Sequence, residues 1–252
     1  MLKVTDLHKS FGGLKAVNGL SFEVKKNAID GLIGPNGAGK TTAFNCLTGT
    51  FPINSGTILF DDQPIMKLGA SAIAQVGLVR TYQQNKIFNE LSVYDNILIG
   101  ADRKNKTLSF LDVLGLKGRA ERKKSQGVVE EILEFMELGP YQKEDAKNLA
   151  HGIQRRLAIA TALACRPKML LLDEPATGMN PEETNDLMRL IRKINDFGIT
   201  ILLIEHDMKL VMNICENITV LSFGEKIAEG KPHEVSSNQA VIEAYLGRGS
   251  SS

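Results

Sequence analysis

The stretch from Gly34 to Thr42, GPNGAGKTT, constrains this chain more than any other. An apolar run, Ala28 to Ile33, leads into it, and a helical stretch, Lys40 to Leu47, leads out. Gly34, Pro35, Asn36, Gly37, Ala38, Gly39, Lys40, Thr41 and Thr42 therefore satisfy G-x-x-x-x-G-K-[ST] in a strand, loop, helix order. That context separates a phosphate-binding loop from an ordinary glycine turn. Gly37 and Gly39 allow the backbone to curl so that successive N–H groups face an anion, Lys40 brings a point charge to the β and γ phosphates, and Thr41 offers a hydroxyl to Mg²⁺.

A second site element comes much later. In MLLLDEP, Met169 to Pro175, four apolar residues place Asp173 at the carboxyl end of a buried strand, where open α/β sheets bind ligands. Asp173 is a candidate Mg²⁺ ligand through water, and Glu174 is placed to orient or deprotonate an attacking water. One helix and one strand further on, ITILLIEHD ends another buried strand at His206, a candidate γ-phosphate sensor. GLVRTYQQ ends a strand candidate at Gln83, whose amide is a candidate catalytic group that ligates Mg²⁺ and approaches the attacking water, with Gln84 adjacent as the alternative. Phe11 in KSFGGLKAV offers a π face to adenine, with Val17 as a second wall; the alternative is a core aromatic.

Around these points the chain alternates. Short β-type runs at Val4 to Leu7, Leu20 to Val24 and Thr57 to Phe60 suggest a small, largely antiparallel N-terminal sheet. From Val93 to Asn148 the pattern turns helical, with VVEEILEFMEL showing apolar residues at i, i+3, i+4 and i+7. Within it lie Arg103, Lys104, Lys106, Lys117, Arg119, Arg122, Lys123 and Lys124, read as a solvated helix face or a contact for a partner or lipid headgroups. Alternation then resumes: helix Ile153 to Ala164, strand Met169 to Leu172, helix Pro181 to Phe197, strand Thr200 to Ile204, helix Met208 to Ile214, two strands after Asn217 and a helix ending at Leu246. Continuous apolar strands such as ITILLI fit a parallel sheet covered on both faces.

The 252 residues, 43% of them apolar, suffice for a large α/β core. A net charge of +1 supplies no field for nucleic acid, which is not an expected partner. Cys46, Cys165 and Cys215 are too few and too scattered for a disulfide framework or a zinc site, and suit a reducing cytosol. The N-terminus lacks a secretory apolar region, and no run of apolar residues is long enough for a membrane span. Residues 248–252, at the end of GRGSSS, read as a disordered tail.

The order of these elements resembles the ATPase subunits of ABC transporters over nearly the whole chain. The resemblance implies a P-loop NTPase α/β fold: a RecA-like parallel-sheet core, an antiparallel N-terminal β subdomain and an inserted helical subdomain at about 93–165, all within a single domain, 1–247. It implies ATP and Mg²⁺ as ligands and hydrolysis as the reaction. The family signature usually reads L-S-G-G-Q, and here Leu149 to Gln154 read LAHGIQ. Ala150, His151, Gly152, Ile153 and Gln154 are thereby implied to face the ATP of a second ATPase subunit, and Gly178 and Asn180 to lie in the D-loop at the dimer seam. Ala150 stands where a serine hydroxyl is usual, His151 where glycine or tyrosine is commoner, and Ala158 and Thr161 where glutamate and arginine are common. One lost neutral donor costs about 0.5–1.5 kcal/mol, weakening the contact without abolishing it.

Within the family, the chain resembles the larger branched-chain amino-acid transporter ATPases in FGGLKAV, GLIGPNGAGKTTAFNCLTGTF, VRTYQQNKIF, the A-x-G-x-Q-R-R-L signature, DEPATGMNPEET, TILLIEHDMKLVM and VIEAYLG. That implies a peripheral location on the cytoplasmic face of a bacterial or archaeal membrane, two permease subunits, a second identical or different ATPase, and a solute-binding protein met only indirectly. ATPases for urea or amide uptake and for lipopolysaccharide export share much of the pattern. A non-transport ABC ATPase and a non-hydrolysing nucleotide sensor are the alternatives of other classes.

Overall fold

The computed structural model describes residues 1–81, 87–102 and 119–246, with the side chains of 119–123 and 246 excepted. It divides into two compact units, one made of Met1–Arg80 with Lys168–Ser252, the other of Thr81–Pro167.

The first unit holds two sheets. Strands β1 (Leu2–Phe11), β2 (Leu14–Val24), β4 (Ser55–Phe60) and β5 (Gln63–Pro64) form an antiparallel sheet in the order β2-β1-β4-β5. β1 and β2 run well past the short apolar runs that announce them. The ladder between them shifts register between Val4 and Leu7, where Asp6 takes φ +50, and the bulge breaks the two-residue alternation while pairing continues on both sides.

The second sheet contains β3 (Ile29–Ile33), β6 (Leu78–Arg80), β7 (Met169–Asp173), β8 (Thr200–Ile204), β9 (Asn217–Ser222) and β10 (Glu225–Gly230), in the order β10-β9-β3-β8-β7-β6. All its pairs are parallel except the β9–β10 hairpin. β3, β7 and β8 are buried along their full length, as their largely apolar sequences require, with Asp30 the buried charge inside β3. Helix α1 (Lys40–Leu47) brings Ala43, Phe44 and Leu47, all fully buried, into one core with Leu2, Leu7 and Ile58 of the first sheet and Leu32, Leu171 and Leu202 of the second. Burying each large side chain stabilises by about 1.5–3 kcal/mol.

Helix α2 (Ala70–Val76) precedes β6 and has no counterpart in the sequence pattern. Helix α6 (Pro181–Asp196), between β7 and β8, starts in a full capping box: the Asn180 side chain accepts from the N–H groups of Glu182 and Glu183, and Glu183 accepts from Asn180 N–H. Asp207 caps α7 (Met208–Ile214) with its side chain alone, accepting from the N–H groups of Lys209 and Leu210, and α8 (Pro232–Ser236) and α9 (Gln239–Leu246) close the chain.

The second unit is helical: α3 (Val93–Asp102), α4 (Arg119–Phe135) and α5 (His151–Ala164) pack on one another, with Ile97, Val129, Leu133 and Leu157 buried. Asn96, fully buried, organises the entry to α3. Its Oδ1 accepts from Phe88 N–H at 2.7 Å, and its amide donates to the carbonyls of Phe88, Leu91 and Ser92. Arg103, Lys104, Lys106 and Lys117 lie outside the described residues, and Lys124 alone of the basic cluster has a described side chain, which is exposed. Among the described residues, no helix is long and apolar enough to cross a membrane.

Candidate functional site

Register builds the site. In the parallel sheet Leu32 stands opposite Ile204, and Ile204 opposite Asp173. The strands β3, β7 and β8 therefore end level with one another. Their continuations emerge at the same carboxyl edge: Gly34 to Lys40 after β3, Glu174 after β7, Glu205 and His206 after β8. This is the edge at which open parallel sheets present ligand-binding loops.

The loop after β3 has the geometry of an anion cradle. The N–H groups of Gly37, Gly39 and Thr41 make no backbone hydrogen bond among the described residues, and the loop runs straight into the N-terminus of α1, where the helix dipole is positive. Two of the loop's three glycines, all at positive φ, serve it for different reasons. Gly39 takes φ +101, and a Cβ there would meet the Ala16 carbonyl at 2.2 Å; Gly37 takes φ +79 with nothing within 4 Å, so its face of the loop is open to a ligand. Asn36 and Gly37 are exposed, Ala38 and Gly34 buried. Lys40 is only 6% exposed, and its ammonium donates to the carbonyls of Gly34 at 2.7 Å and Pro35 at 3.0 Å. The β9–β10 turn braces the loop from the other side, Gly224 N–H donating to Ala38 O at 3.0 Å.

Asp173 ends β7 fully buried. Its Oδ2 accepts from Arg80 at 2.5 Å, while Oδ1 is buried and has no hydrogen-bond partner among the described residues. A buried carboxylate oxygen with an open lone pair fits a water-mediated Mg²⁺ ion, since that ion takes one or two carboxylates and completes its shell with water and phosphate oxygens. Arg80 also donates to Asn45 at 2.6 Å, so the guanidinium is fixed between α1 and β7. Glu174 adopts φ +47, which turns the chain out of the strand, and its N–H donates to Ile204 O at 2.9 Å. A non-glycine residue in this region is uncommon and concentrates at functional sites. His206 is half exposed.

Two charged residues of this edge were not singled out in the sequence. Arg80 closes β6, and its pairing with Asp173 depends on strands distant in the chain. Glu205, fully buried, accepts hydrogen bonds from Ala176 N–H at 2.7 Å and from His206 N–H at 3.0 Å. Burial raises its carboxyl above the ordinary carboxylate range, and these N–H donors oppose the rise. An acid directly after four apolar strand residues, Ile201 to Ile204, was the available signal.

Other expectations fare variously. The strand expected to carry Gln83 ends at Arg80, and Gln83 and Gln84 lie outside the described residues. Phe11 stays 44% exposed, edge-on to Phe51 at 5.3 Å with the Lys9 ammonium 4.8 Å from its centroid, so its ring retains accessible area. Val17 has no exposed surface and belongs to the core, so it presents no open wall. Gly178 lies in the turn after Glu174, and the Asn180 side chain is committed to capping α6. In the helical unit, Ala150 is the N-cap of α5 and caps nothing with its side chain; His151 is exposed and Gly152 and Ile153 are partly so. The Gln154 amide donates to the carbonyls of Ala146 and Leu149.

Comparison with known proteins agrees with this geometry. The family model described as ABC transporter matches residues 17–177, and one described as branched-chain amino acid ATP-binding cassette transporter matches residues 225–250. The high-affinity branched-chain amino acid transport ATP-binding protein BraF of Pseudomonas aeruginosa is 43% identical over 251 residues, 98% of each chain. Its counterpart LivG of Escherichia coli K12 is 44% identical over the same share. A crystal structure of MJ1267, an ATP-binding cassette of an ABC transporter, in its ADP conformation superposes with a TM-score of 0.85 at 31% identity, covering 98% of each chain. Strand register, cradle and end-to-end similarity converge on one conclusion: the chain belongs to the ATP-binding subunits of ABC transporters.

Proposed function

We propose that this chain binds and hydrolyses ATP with Mg²⁺ as the motor of an importer for branched-chain amino acids. The observation that carries the hydrolytic reading is the common edge at which the Lys40 loop, Asp173, Glu174 and His206 emerge. Similarity to BraF and LivG along the whole length supports the solute.

In this reading, the phosphates lie against the N–H groups of Gly37, Gly39 and Thr41, with Phe11 stacking on adenine. The Lys40 ammonium exchanges its loop carbonyls for β- and γ-phosphate oxygens. Mg²⁺, when bound, neutralises charge developing between the β and γ phosphates. Thr41, Gln83 and Asp173 would hold that ion. Glu174 takes a proton from, or orients, the water in line with the γ phosphate, and His206 donates toward the γ phosphate. Ala150 to Gln154 serve the nucleotide of a second ATPase subunit, and Gly178 and Asn180 lie in the D-loop at the seam between the two. Residues 1–247 act as one ATPase domain with a helical insertion at about 93–165. Two permease subunits receive the motion, a solute-binding protein is met only through them, and the work is done at the cytoplasmic membrane face.

The test is Glu174→Gln in the chain assembled with the subunits it copurifies with. Phosphate release should fall by roughly 10²-fold or more while ATP binding is retained. Undiminished release would reject the role of Glu174, and identifying the copurifying membrane subunits tests the transport reading.

A further inference from the structure

Glu205 stands between two pieces of the site and touches both. Its Oε1 accepts from Ala176 N–H at 2.7 Å. Its Oε2 accepts from His206 N–H at 3.0 Å, with Asp207 N–H at 3.4 Å beside it. The residue before it, Ile204, accepts from Glu174 N–H through its carbonyl at 2.9 Å. The turn Glu174–Pro175–Ala176 is therefore fastened at both ends to two consecutive residues leaving β8. The same carboxylate fastens the backbone that carries His206.

We propose that Glu205 is a positioning residue that sets the separation between Glu174 and His206. The inference rests on the hydrolytic roles given to those two residues above.

The chemistry of the side chain supports this assignment. Both oxygens must accept, and only a carboxylate provides two accepting oxygens; glutamine provides one, and its NH₂ would meet an N–H donor on the other side. The carboxylate has no solvent contact, so its charge is compensated by backbone donors. A simple strand-end filler at this place would be apolar, since burying a carboxylate is costly unless its hydrogen bonds are needed. Asp207 caps α7 by accepting from Lys209 and Leu210 N–H, so the far side of the His206 segment is also held. The histidine side chain remains half exposed on a fixed backbone.

The experiment uses the full chain with its copurifying subunits and compares Glu205→Gln, His206→Ala, the double variant and Glu174→Gln. Phosphate release from Mg-ATP gives kcat, titration with a fluorescent ATP analogue gives Kd, and amide hydrogen exchange reports on Ala176 and His206. Glu205→Gln should lower kcat roughly tenfold or more with Kd within about threefold, and should speed exchange at one or both amides. Adding it to His206→Ala should lower kcat by much less than it does alone, because the two act through one contact. A kcat within about twofold of wild type overturns the proposal, as does additivity in the double variant, or a Kd that worsens in proportion to kcat. If Glu174→Gln and His206→Ala both retain wild-type turnover, the underlying site reading fails instead, whatever the exchange at Ala176 and His206 shows.

Discussion

Gly37 and Gly39 lie two residues apart in one loop, and alanine should affect them in opposite ways. At Gly39, φ is +101 and the added Cβ would lie 2.2 Å from the Ala16 carbonyl oxygen. Carbon and oxygen settle at about 3.3–3.6 Å, so Ala16 or the loop must retreat by about 1 Å. The left-handed backbone adds about 1–2 kcal/mol and the overpacking about 1–3 kcal/mol, together about 2–5 kcal/mol. For a chain of this size, that lowers Tm by about 4–20 °C. At Gly37, φ is +79 and nothing lies within 4 Å, so only the backbone term of about 1–2 kcal/mol applies. The methyl group then points into the open side of the cradle, and nucleotide affinity should fall roughly tenfold or more, because phosphate can no longer approach the N–H groups. Thermal scanning without nucleotide, and then titration with Mg-ATP, measures both. If Gly39→Ala melts with the wild type, or if Gly37→Ala is as unstable as Gly39→Ala yet binds normally, the loop geometry is wrong.

Arg80→Ala leaves the Asp173 carboxylate buried without its cation and should cost about 3–5 kcal/mol in denaturant unfolding, much of it recovered in the double variant with Asp173→Ala. Asn180→Ala removes the α6 cap and should cost about 1 kcal/mol by the same measurement. Burial, aided by Glu216 and Glu229 and opposed by Asn217 N–H and Lys25, pushes the Asp30 carboxyl up to about 7 from 3.8. Because the folded value exceeds the unfolded one, this group's contribution is fully present below about 3.8 and is lost as pH rises through about 7. The loss is at most about 4 kcal/mol. Asp30→Asn should flatten the stability profile across that window, and an unchanged profile would refute the assignment.

The phosphate loop and the Asp173–Glu174 pair are legible in the sequence because each is a contiguous string whose meaning depends on the strand just before it. Arg80 and Glu205 are not, since their importance lies in partners contributed by distant parts of the chain: Asp173 at the end of β7 for one, Ala176 in the turn after it for the other. Register decides those meetings, and register between parallel strands joined by long crossovers is not written locally. Helix α2 escapes for a different reason: seven residues bounded by Gly69 and Gly77 give too few turns for periodicity to emerge. Val17 comes after a glycine-rich aromatic loop and so suggests a ligand wall, yet the pleat turns it inward, where it is completely covered.

The Lys40 ammonium, nearly sealed from solvent, rests on two carbonyls of its own loop. A loop that supplies its own counter-dipoles keeps its curvature before any anion arrives. Docking a triphosphate then replaces neutral oxygens with charged ones around a cation already in place, so little of the interaction is spent on shaping the receptor.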